Sequence, residues 1–268
     1  MKRLTVPKIL EKHARGEKIA MLTAYDSTFA RLVDEAGVDM ILVGDSLGMV
    51  VQGHDTTIPV ELEDVIYHTS CVARGSRSAL VVADLPFMSY QCSRSQALLA
   101  SGRALKEGMA GAVKLEGGLE MAETTSLIVA AGIPVMAHIG LKPQSYHTMG
   151  GYRIQGKSRD EAKRLLSEAR AFEEAGAFAL VLEGVAMETA ADITRAVSIP
   201  TIGISSGPHC SGQVLVVYDM LGMNPGFKPS FLKTYADGHK LITSAVEKYV
   251  DEVRRGIFPS EAHGFHRK

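Results

Sequence analysis

The chain has 268 residues, of which 46% are hydrophobic and 22% charged, and this is enough apolar material for one large domain or two small ones. Lysine and arginine number 29 against 30 acidic residues, so the formal net charge of -1 provides no global field for nucleic acid or an anionic membrane. Three cysteines without a CxxC arrangement exclude an obvious zinc site or redox pair, and they favour a reducing, cytoplasmic setting.

The beginning of the sequence is not typical of a signal peptide. Its basic residues are followed by the charged stretch 11–15 and not by an apolar run. Apolar stretches such as 19–24 are far shorter than the roughly 20 residues that a membrane-spanning helix needs. We therefore expect no membrane-inserted segment.

Short apolar runs alternate with stretches of helical periodicity along the chain. A short N-terminal helix is predicted over 6–15, with Pro7 in its first turn and Gly16 at its end. Strands are predicted at 19–26, 40–43, 79–84, 111–118, 134–138, 178–183, 201–205 and, more weakly, 230–236. Helices are predicted at 28–36 (with Ser27 as the cap), 61–74, 93–107, 119–131, 159–175, 188–197 and 238–255.

Eight strand-helix units in succession predict a single α/β domain over residues 1–268, folded as a (β/α)8 barrel. An open, doubly wound sheet is the alternative. Two observations favour the barrel: no G-x-G-x-x-G motif follows the first strand, and acidic residues close four different strands. The carboxyl ends of barrel strands converge on one face, whereas in an open sheet several of them would lie far apart.

Four acidic residues end apolar runs, and they are candidates for one shared site: Asp45, Asp84, Glu116 and Glu183. The first three close neighbouring strands in the barrel interpretation. Clustered carboxylate oxygens suit Mg²⁺, which keeps several waters or takes substrate oxygens in their place. The plainer alternative is that each acid caps the helix that follows it, as aspartate often does.

Lys114 stands two residues before Glu116, so in a strand both side chains lie on the same face. A buried lysine in this place would neutralise a substrate carboxylate or a developing enolate. A Schiff base with the substrate and a structural ion pair with a neighbouring acid are the alternatives.

Glu183 follows Leu-Val-Leu on a strand across the barrel, where an apolar wall would raise its pKa toward neutrality. We predict that Glu183 abstracts a proton. The alternatives are that it caps the following helix or pairs with Lys114.

Ser46 is a candidate donor to a substrate oxygen, or only a turn residue. His138 closes the fifth strand as a possible pocket residue or a satisfied core histidine. Three loop histidines have weaker claims: His54, His147 and His209.

Ordered motifs along nearly the whole chain resemble the ketopantoate hydroxymethyltransferase family. The motifs are Met21-Leu22-Thr23-Ala24-Tyr25-Asp26, Gly44-Asp45-Ser46-Leu47-Gly48-Met49-Val50, Ala83-Asp84-Leu85-Pro86-Phe87, Val113-Lys114-Leu115-Glu116-Gly117-Gly118, His138-Ile139-Gly140-Leu141, Gly150-Gly151-Tyr152 with Gln155-Gly156, and Leu182-Glu183. Such a series in one order is highly specific, although any single hexapeptide would be weak.

The resemblance implies a (β/α)8 barrel of the phosphoenolpyruvate/pyruvate type that transfers a hydroxymethyl group from 5,10-methylenetetrahydrofolate to 3-methyl-2-oxobutanoate. The product is 2-dehydropantoate, made through a Mg²⁺-stabilised enolate in pantothenate and coenzyme A biosynthesis. Family members form homo-oligomers, often decamers. The resemblance also implies the roles of the candidate residues: Mg²⁺ on Asp45, Asp84 and Glu116; the 2-oxo acid on Asp45, Ser46, Asp84 and Lys114; and Glu183 as the proton acceptor.

This chain departs from the family's pattern after the seventh strand. The family more often reads Ile-Gly-Ile-Gly-Ala-Gly and Cys-Asp-Gly-Gln, where this chain has Ile202-Gly203-Ile204-Ser205-Ser206-Gly207 and Cys210-Ser211-Gly212-Gln213. We expect the added hydroxyls and the missing acid to alter the folate side of the pocket or the subunit contacts, with the three metal-binding acids intact.

Two other functions are compatible with the same residues. One is a Mg²⁺-dependent aldolase or lyase acting on another 2-oxo acid. The other is a barrel retained as an assembly or binding module, but the presence of all four acids weighs against a degraded site.

Overall fold

A computed structural model describes residues 3–151, 153–226 and 229–267 of the chain. Eight parallel strands pair in sequence order, and the last pairs with the first, so the sheet closes into a barrel. The strands are β1 (Ile19–Thr23), β2 (Met40–Val43), β3 (Leu80–Asp84), β4 (Ala112–Glu116), β5 (Val135–Gly140), β6 (Ala179–Glu183), β7 (Thr201–Ile204) and β8 (Gly212–Leu215). This confirms the predicted fold class.

Helices connect most of these strands, as in a (β/α)8 barrel. They are α1 (Val6–Ala14), α2 (Ser27–Glu35), α3 (Leu47–Val50), α4 (Leu62–Gly75), α5 (Arg94–Lys106), α6 (Ala122–Ala130), α7 (Tyr146–Met149), α8 (Arg159–Glu174), α9 (Met187–Ala196), α10 (Val217–Met220) and α11 (Gly238–Arg254). Short 3-10 turns cover Leu119–Met121, Pro143–Ser145 and Glu261–His263. The short N-terminal helix is therefore confirmed.

Local sequence signals explain where the helices begin. The Asp26 side chain accepts hydrogen bonds from the Thr28 and Phe29 amides and so caps α2, one residue before the predicted cap Ser27. Ser158 and Glu161 form a reciprocal capping box at the start of α8. Side chains thus satisfy backbone amides that have no partner inside the helix.

A closed apolar core fills the end of the barrel at which the strands begin. Side chains from the first residues of the strands pack there with Ile9 of α1, among them Met40, Leu80, Ala112 and Met136. α1 therefore covers the end of the barrel at which the strands begin. The polar candidates lie at the other end, where the active sites of such barrels are found.

The predicted eighth strand at 230–236 is wrong, because these residues form turns and irregular structure. The eighth strand is Gly212–Leu215, which follows β7 without an intervening helix. A Cβ at position 212 would lie 2.4 Å from the Ile19 carbonyl oxygen, so glycine lets β8 approach β1 closely enough to close the barrel. Glycine is depleted in strands, and for this reason the Gly-rich segment around Gly212 was not predicted to be one.

The chain groups into two compact units, residues 1–216 and 217–268. The first contains the complete barrel, and the second contains α10 and α11. The prediction of a single domain over residues 1–268 stays a prediction. No helix in the described part of the chain is long and apolar enough to cross a membrane.

Candidate active site

The parallel register delivers the candidate residues to one end of the barrel. Asp84, Glu116 and Glu183 are the last residues of β3, β4 and β6. Asp84 pairs in register with Lys114, and Glu116 pairs with His138. Since neighbouring strand ends lie side by side, the acids predicted from separate parts of the sequence meet around one centre.

Lys114 is buried against an acidic neighbour. Its Nζ lies 2.7 Å from Asp84 Oδ1 and 2.8 Å from Oδ2, and 3.9 Å from Glu116 Oε1. Burial opposes the charged ammonium, but the carboxylates of Asp84 and Glu116 outweigh it and raise the pKa of Lys114. A lysine held in its protonated form is a poor nucleophile, so the site favours a charge-stabilising role over a Schiff base.

The buried carboxylates oppose one another. Burial, followed by the charges of Asp84 and Glu116, raises the pKa of Asp45 to about 8. Burial also raises the pKa of Asp84, against the opposing effect of Lys114. For Glu116 burial is outweighed by His138 and Lys114, so its pKa is lowered. The cluster therefore holds more negative charge than its one lysine neutralises.

The cluster fits a hard divalent cation with an incomplete protein shell. Oε1 of Glu116 is buried and has no hydrogen-bond partner within the described ranges. In the same ranges, no three His, Cys, Asp or Glu side chains stand in ready-made ligand geometry. Mg²⁺ is typically held by one or two carboxylates, with water and substrate oxygens completing its shell. The acids Asp45, Asp84 and Glu116 suit that mode and not an all-protein cage.

His138 lies between the acidic cluster and Glu183. Its Nδ1 is 3.4 Å from Glu116 Oε1, and its Nε2 is 3.4 Å from Glu183 Oε2. Both ring nitrogens are buried without a hydrogen bond of good geometry in the described residues. Burial, followed by the charge of Lys114, lowers the pKa of His138, so the ring is neutral near pH 7.

Glu183 differs from the other acids in its access to solvent. Its side chain is 22% exposed, whereas those of Asp84 and Glu116 are each 2% exposed. Burial, followed by the charge of Glu116, raises its pKa from the ordinary 4.5 to about 8. A carboxylate that is reachable and has a pKa near neutrality has the properties of a general base.

The remaining predicted candidates are less closely connected. Ser46 is the residue before α3, and its hydroxyl lies 2.9 Å from the Tyr25 hydroxyl. Among the described residues, no hydrogen bond or ion pair joins His54, His147 or His209 to the acidic cluster.

Two residues that the sequence analysis did not single out connect the acids. Gln144 Nε2 donates to Asp45 Oδ2 at 3.0 Å, and the Gln144 amide donates to Glu116 Oε2 at 3.2 Å. The Tyr90 hydroxyl lies 2.7 Å from Gln144 Oε1 and 3.1 Å from the Glu116 carbonyl oxygen. The sequence offers one signal for Gln144, its position in the long segment 140–158 between β5 and α8. Nothing in the residues around it identifies Asp45 or Glu116 as its partner.

A cavity of about 380 Å³ adjoins this network. The residues that line it include Glu116, Gln144, Tyr90, Phe87 and Lys142. Lys142 Nζ is 4.0 Å from Glu120 Oε1, which leaves its ammonium loosely paired. The cavity combines aromatic and apolar surface with a few polar groups, as small-molecule sites do.

Comparisons with known proteins agree on one family. The model of the ketopantoate hydroxymethyltransferase family matches residues 3–261. A 3-methyl-2-oxobutanoate hydroxymethyltransferase of Geobacter metallireducens is 55% identical over 261 residues, 97% of this chain and 98% of that protein. The protein of the same name from Carboxydothermus hydrogenoformans is 54% identical over 99% of this chain and 96% of its own length.

Solved structures share the fold at low sequence identity. A phosphoenolpyruvate phosphomutase from Streptomyces platensis subsp. rosaceus superposes with a TM-score of 0.65 at 14% identity, covering 94% of this chain and 88% of that one. A phosphonopyruvate hydrolase, crystallised with oxalate and Mg²⁺, gives a TM-score of 0.63 at 12% identity, covering 98% and 92%. These likenesses confirm the (β/α)8 barrel fold.

Proposed function

The chain belongs to the ketopantoate hydroxymethyltransferase family, and from that premise we propose that it transfers a hydroxymethyl group from 5,10-methylenetetrahydrofolate to 3-methyl-2-oxobutanoate, giving 2-dehydropantoate. The observation that carries this proposal is the placement of an accessible, high-pKa carboxylate, Glu183, across a neutral histidine from a buried acidic cluster. Such a site holds a metal-chelating 2-oxo acid on one side and removes a proton on the other.

Asp45, Asp84 and Glu116 are the proposed Mg²⁺ ligands. Burial and then the repulsion of Asp84 and Glu116 raise the pKa of Asp45, and a divalent cation bound among these carboxylates would relieve that repulsion. A bound Mg²⁺ supplies Lewis-acid polarisation of the keto oxygen, which makes the C3 proton of the substrate removable. Gln144, which bridges Asp45 and Glu116, keeps these two acids in their relative positions.

Lys114 is the proposed counter-charge for the substrate. Its ammonium is held at the cluster by Asp84 and stays protonated. A preorganised cation stabilises the negative charge that spreads over the substrate oxygens when the proton leaves. Together with Asp45, Ser46 and Asp84, it forms the proposed contact surface for the 2-oxo acid.

Glu183 is the proposed proton acceptor. Its carboxylate removes the proton from C3 of the oxo acid, and the electron pair of that C–H bond becomes the enolate double bond. Water adds to the methylene carbon of the folate donor, the bonds from that carbon to the two folate nitrogens break, and tetrahydrofolate leaves. The enolate carbon bonds to the released one-carbon unit, and the oxygen that came from water takes up a proton and becomes the hydroxyl of 2-dehydropantoate. Two observations support this role: the Glu183 side chain is partly exposed to solvent, and its Oε2 lies 3.4 Å from His138 Nε2, beside the acidic cluster.

The cavity beside Glu116 and Gln144 is the proposed entrance for the folate donor. Its aromatic wall, with Phe87 and Tyr90, suits a flat pterin ring, and Lys142 suits the carboxylates of the glutamate tail. The cavity shares Glu116 and Gln144 with the acidic cluster, so a donor bound there lies next to the oxo acid.

We also propose a cytoplasmic homo-oligomer, a decamer by family resemblance. All three cysteines are free, as expected in a reducing compartment: Cys71, Cys92 and Cys210. α11 carries an exposed apolar stripe formed by Ile242, Val246, Tyr249 and Val253, each between 44% and 56% exposed. Exposed apolar patches of this kind are typical of protein interfaces.

The decisive experiment measures exchange of the C3 proton of 3-methyl-2-oxobutanoate in deuterated buffer by NMR, without folate. We expect exchange that requires Mg²⁺ and stops when the metal is chelated. Product formation should further require 5,10-methylenetetrahydrofolate. Absence of exchange by folded, Mg²⁺-loaded protein would contradict the proposal, and equally fast product formation from free formaldehyde would favour the aldolase alternative.

A further inference from the structure

We propose that Ser206, in the loop after β7, is a positioning residue that holds the backbone on both sides of Glu183. The inference rests on the proposed role of Glu183 as the proton acceptor. The Ser206 hydroxyl donates to the Leu182 carbonyl oxygen at 2.7 Å and accepts from the Val185 amide at 3.0 Å. One side chain thus connects the residue before Glu183 with the second residue after it.

Neither of these backbone groups has easy access to water. Ser206 and Val185 are each 1% exposed. The Val185 amide has no other hydrogen-bond acceptor among the described residues, and the Ser206 hydroxyl also lies 3.1 Å from the Ile204 carbonyl oxygen. The family more often has alanine at this position, but this chain offers the Val185 amide no other acceptor among the described residues. A buried amide that loses its acceptor is unfavourable, so in this chain the turn after β6 would rearrange without the hydroxyl.

The carboxylate of Glu183 depends on its backbone for its position. Among the described residues it accepts no hydrogen bond, and its ion-pair contact is His138 Nε2 at 3.4 Å. The chain turns immediately after it, at Gly184 with φ +56°. The backbone on the β5 side is already fixed, because the Leu141 amide donates to the Glu183 carbonyl oxygen at 2.7 Å. Ser206 holds the turn from the side of β7.

The loop after β7 takes an uncommon shape at this point. Ser205 has φ +55° and Gly207 has φ +77°, so both residues beside Ser206 lie in the left-handed region. Non-glycine residues adopt this region rarely, and strain of this kind is found at functional sites. Here the conformation accompanies a Ser206 side chain that turns toward β6 and away from solvent.

The test replaces Ser206 with alanine and follows C3 proton exchange with Mg²⁺ and 3-methyl-2-oxobutanoate. We expect kcat to fall by about 10- to 100-fold, because a displacement of about 1 Å at a reacting group has effects of that order. The KM for the oxo acid and the Mg²⁺ affinity should stay within about twofold, since Asp84, Lys114 and Glu116 are untouched. A S206T variant, which keeps the hydroxyl, should recover most of the lost rate.

Ser101→Ala is the matched control. Ser101 is also fully buried and its hydroxyl donates to a backbone carbonyl, that of Ala97 at 2.7 Å, but it lies within α5. This variant should keep the wild-type kcat. Wild-type kcat in folded Ser206→Ala protein would overturn the inference, and so would losses of kcat that the Ser101→Ala variant shows equally.

Two further results separate this inference from its premise. If wild-type protein shows no exchange, the proposed function fails and the inference fails with it; if wild type exchanges and only the Ser206 prediction fails, the premise stands. Should Ser206→Ala not fold, hydrogen–deuterium exchange of wild-type protein over residues 183–186 decides. Strong protection of the Val185 amide supports the hydrogen bond, and exchange as fast as that of exposed loops overturns it.

Discussion

At the scale of single residues, the site is governed by carboxylates that share too little positive charge. Lys114 pairs with Asp84, and Asp45 is left with a pKa of about 8 in the absence of a cation. Gln144 brings neutral donors to Asp45 and Glu116, which reduces the repulsion without removing it. In the proposed function, a cation and a chelating substrate would supply the missing positive charge and oxygen contacts.

Glu183→Gln tests the role of the proposed base. Glutamine keeps the size of the side chain but accepts no proton, so C3 exchange should fall by at least about 10²-fold. Calorimetric Mg²⁺ and oxo-acid affinities should stay near wild type. Glu168→Gln is the control, because Glu168 also has a pKa that burial raises but lies on α8. Exchange at the wild-type rate in Glu183→Gln protein would contradict the assignment.

The raised pKa of Glu183 also predicts how stability depends on pH in metal-free protein. Its folded-state pKa is about 8 and its ordinary value is 4.5, so between these values the folded state binds more protons than the unfolded state. The free energy of unfolding therefore falls as pH rises through this window. Thermal unfolding of Glu183→Gln should show a smaller fall in Tm over this pH window, and each kcal/mol of difference in unfolding free energy corresponds to about 2–4 °C. Parallel curves for the two proteins would contradict the shift.

At the scale of secondary-structure elements, the β7–β8 connection is the least regular part of the barrel. It joins two strands without a helix, and it contains Ser205 at φ +55°. The same connection carries the departures from the family's pattern, and Ser206 contacts β6 from it. The expectation that these departures alter the folate side of the pocket or the subunit contacts stays a prediction.

Ser205→Gly should stabilise the protein. Glycine adopts positive φ without steric strain, which is worth about 1–2 kcal/mol, although its greater unfolded-state entropy offsets about 0.5–1 kcal/mol. The expected net gain is up to about 1.5 kcal/mol, measured as a rise of a few degrees in Tm. Ser205→Ala is the control, since it removes the hydroxyl but keeps the strain. A Tm gain as large in the alanine variant would contradict the strain argument.

At the scale of the whole molecule, the barrel separates two kinds of surface within residues 1–216. One end is filled by apolar side chains from the first residues of the strands and from α1, and the other end contains the buried charged residues. Residues 217–268 contribute a different feature, the apolar stripe of α11, whose intervals of four, three and four residues place it on one helix face. A stripe of this kind, left exposed in one chain, is suited to a second copy.

Val246→Glu tests that interpretation. A buried, unpaired carboxylate is strongly unfavourable in an apolar interface, so the variant should dissociate toward the 28.8 kDa single chain. Light scattering coupled to size-exclusion chromatography measures the mass. Ser244→Glu adds the same charge on the opposite helix face, where Ser244 is exposed, and should keep the wild-type mass. A wild-type mass of one chain would contradict the predicted homo-oligomer.

Hydrophobic periodicity predicted seven of the eight strands and most element bounds, because strand alternation and helix spacing are local properties of the chain. Acids at four strand ends and the missing G-x-G-x-x-G motif then favoured the barrel over the open sheet. Tertiary structure decided which side chains meet. Only cross-strand register brings His138 between Glu116 and Glu183, and only the folded loop brings Gln144 to Asp45. Likewise β8 is a strand because Gly212 permits close approach to β1, a constraint of barrel closure that no local pattern of residues 212–215 records.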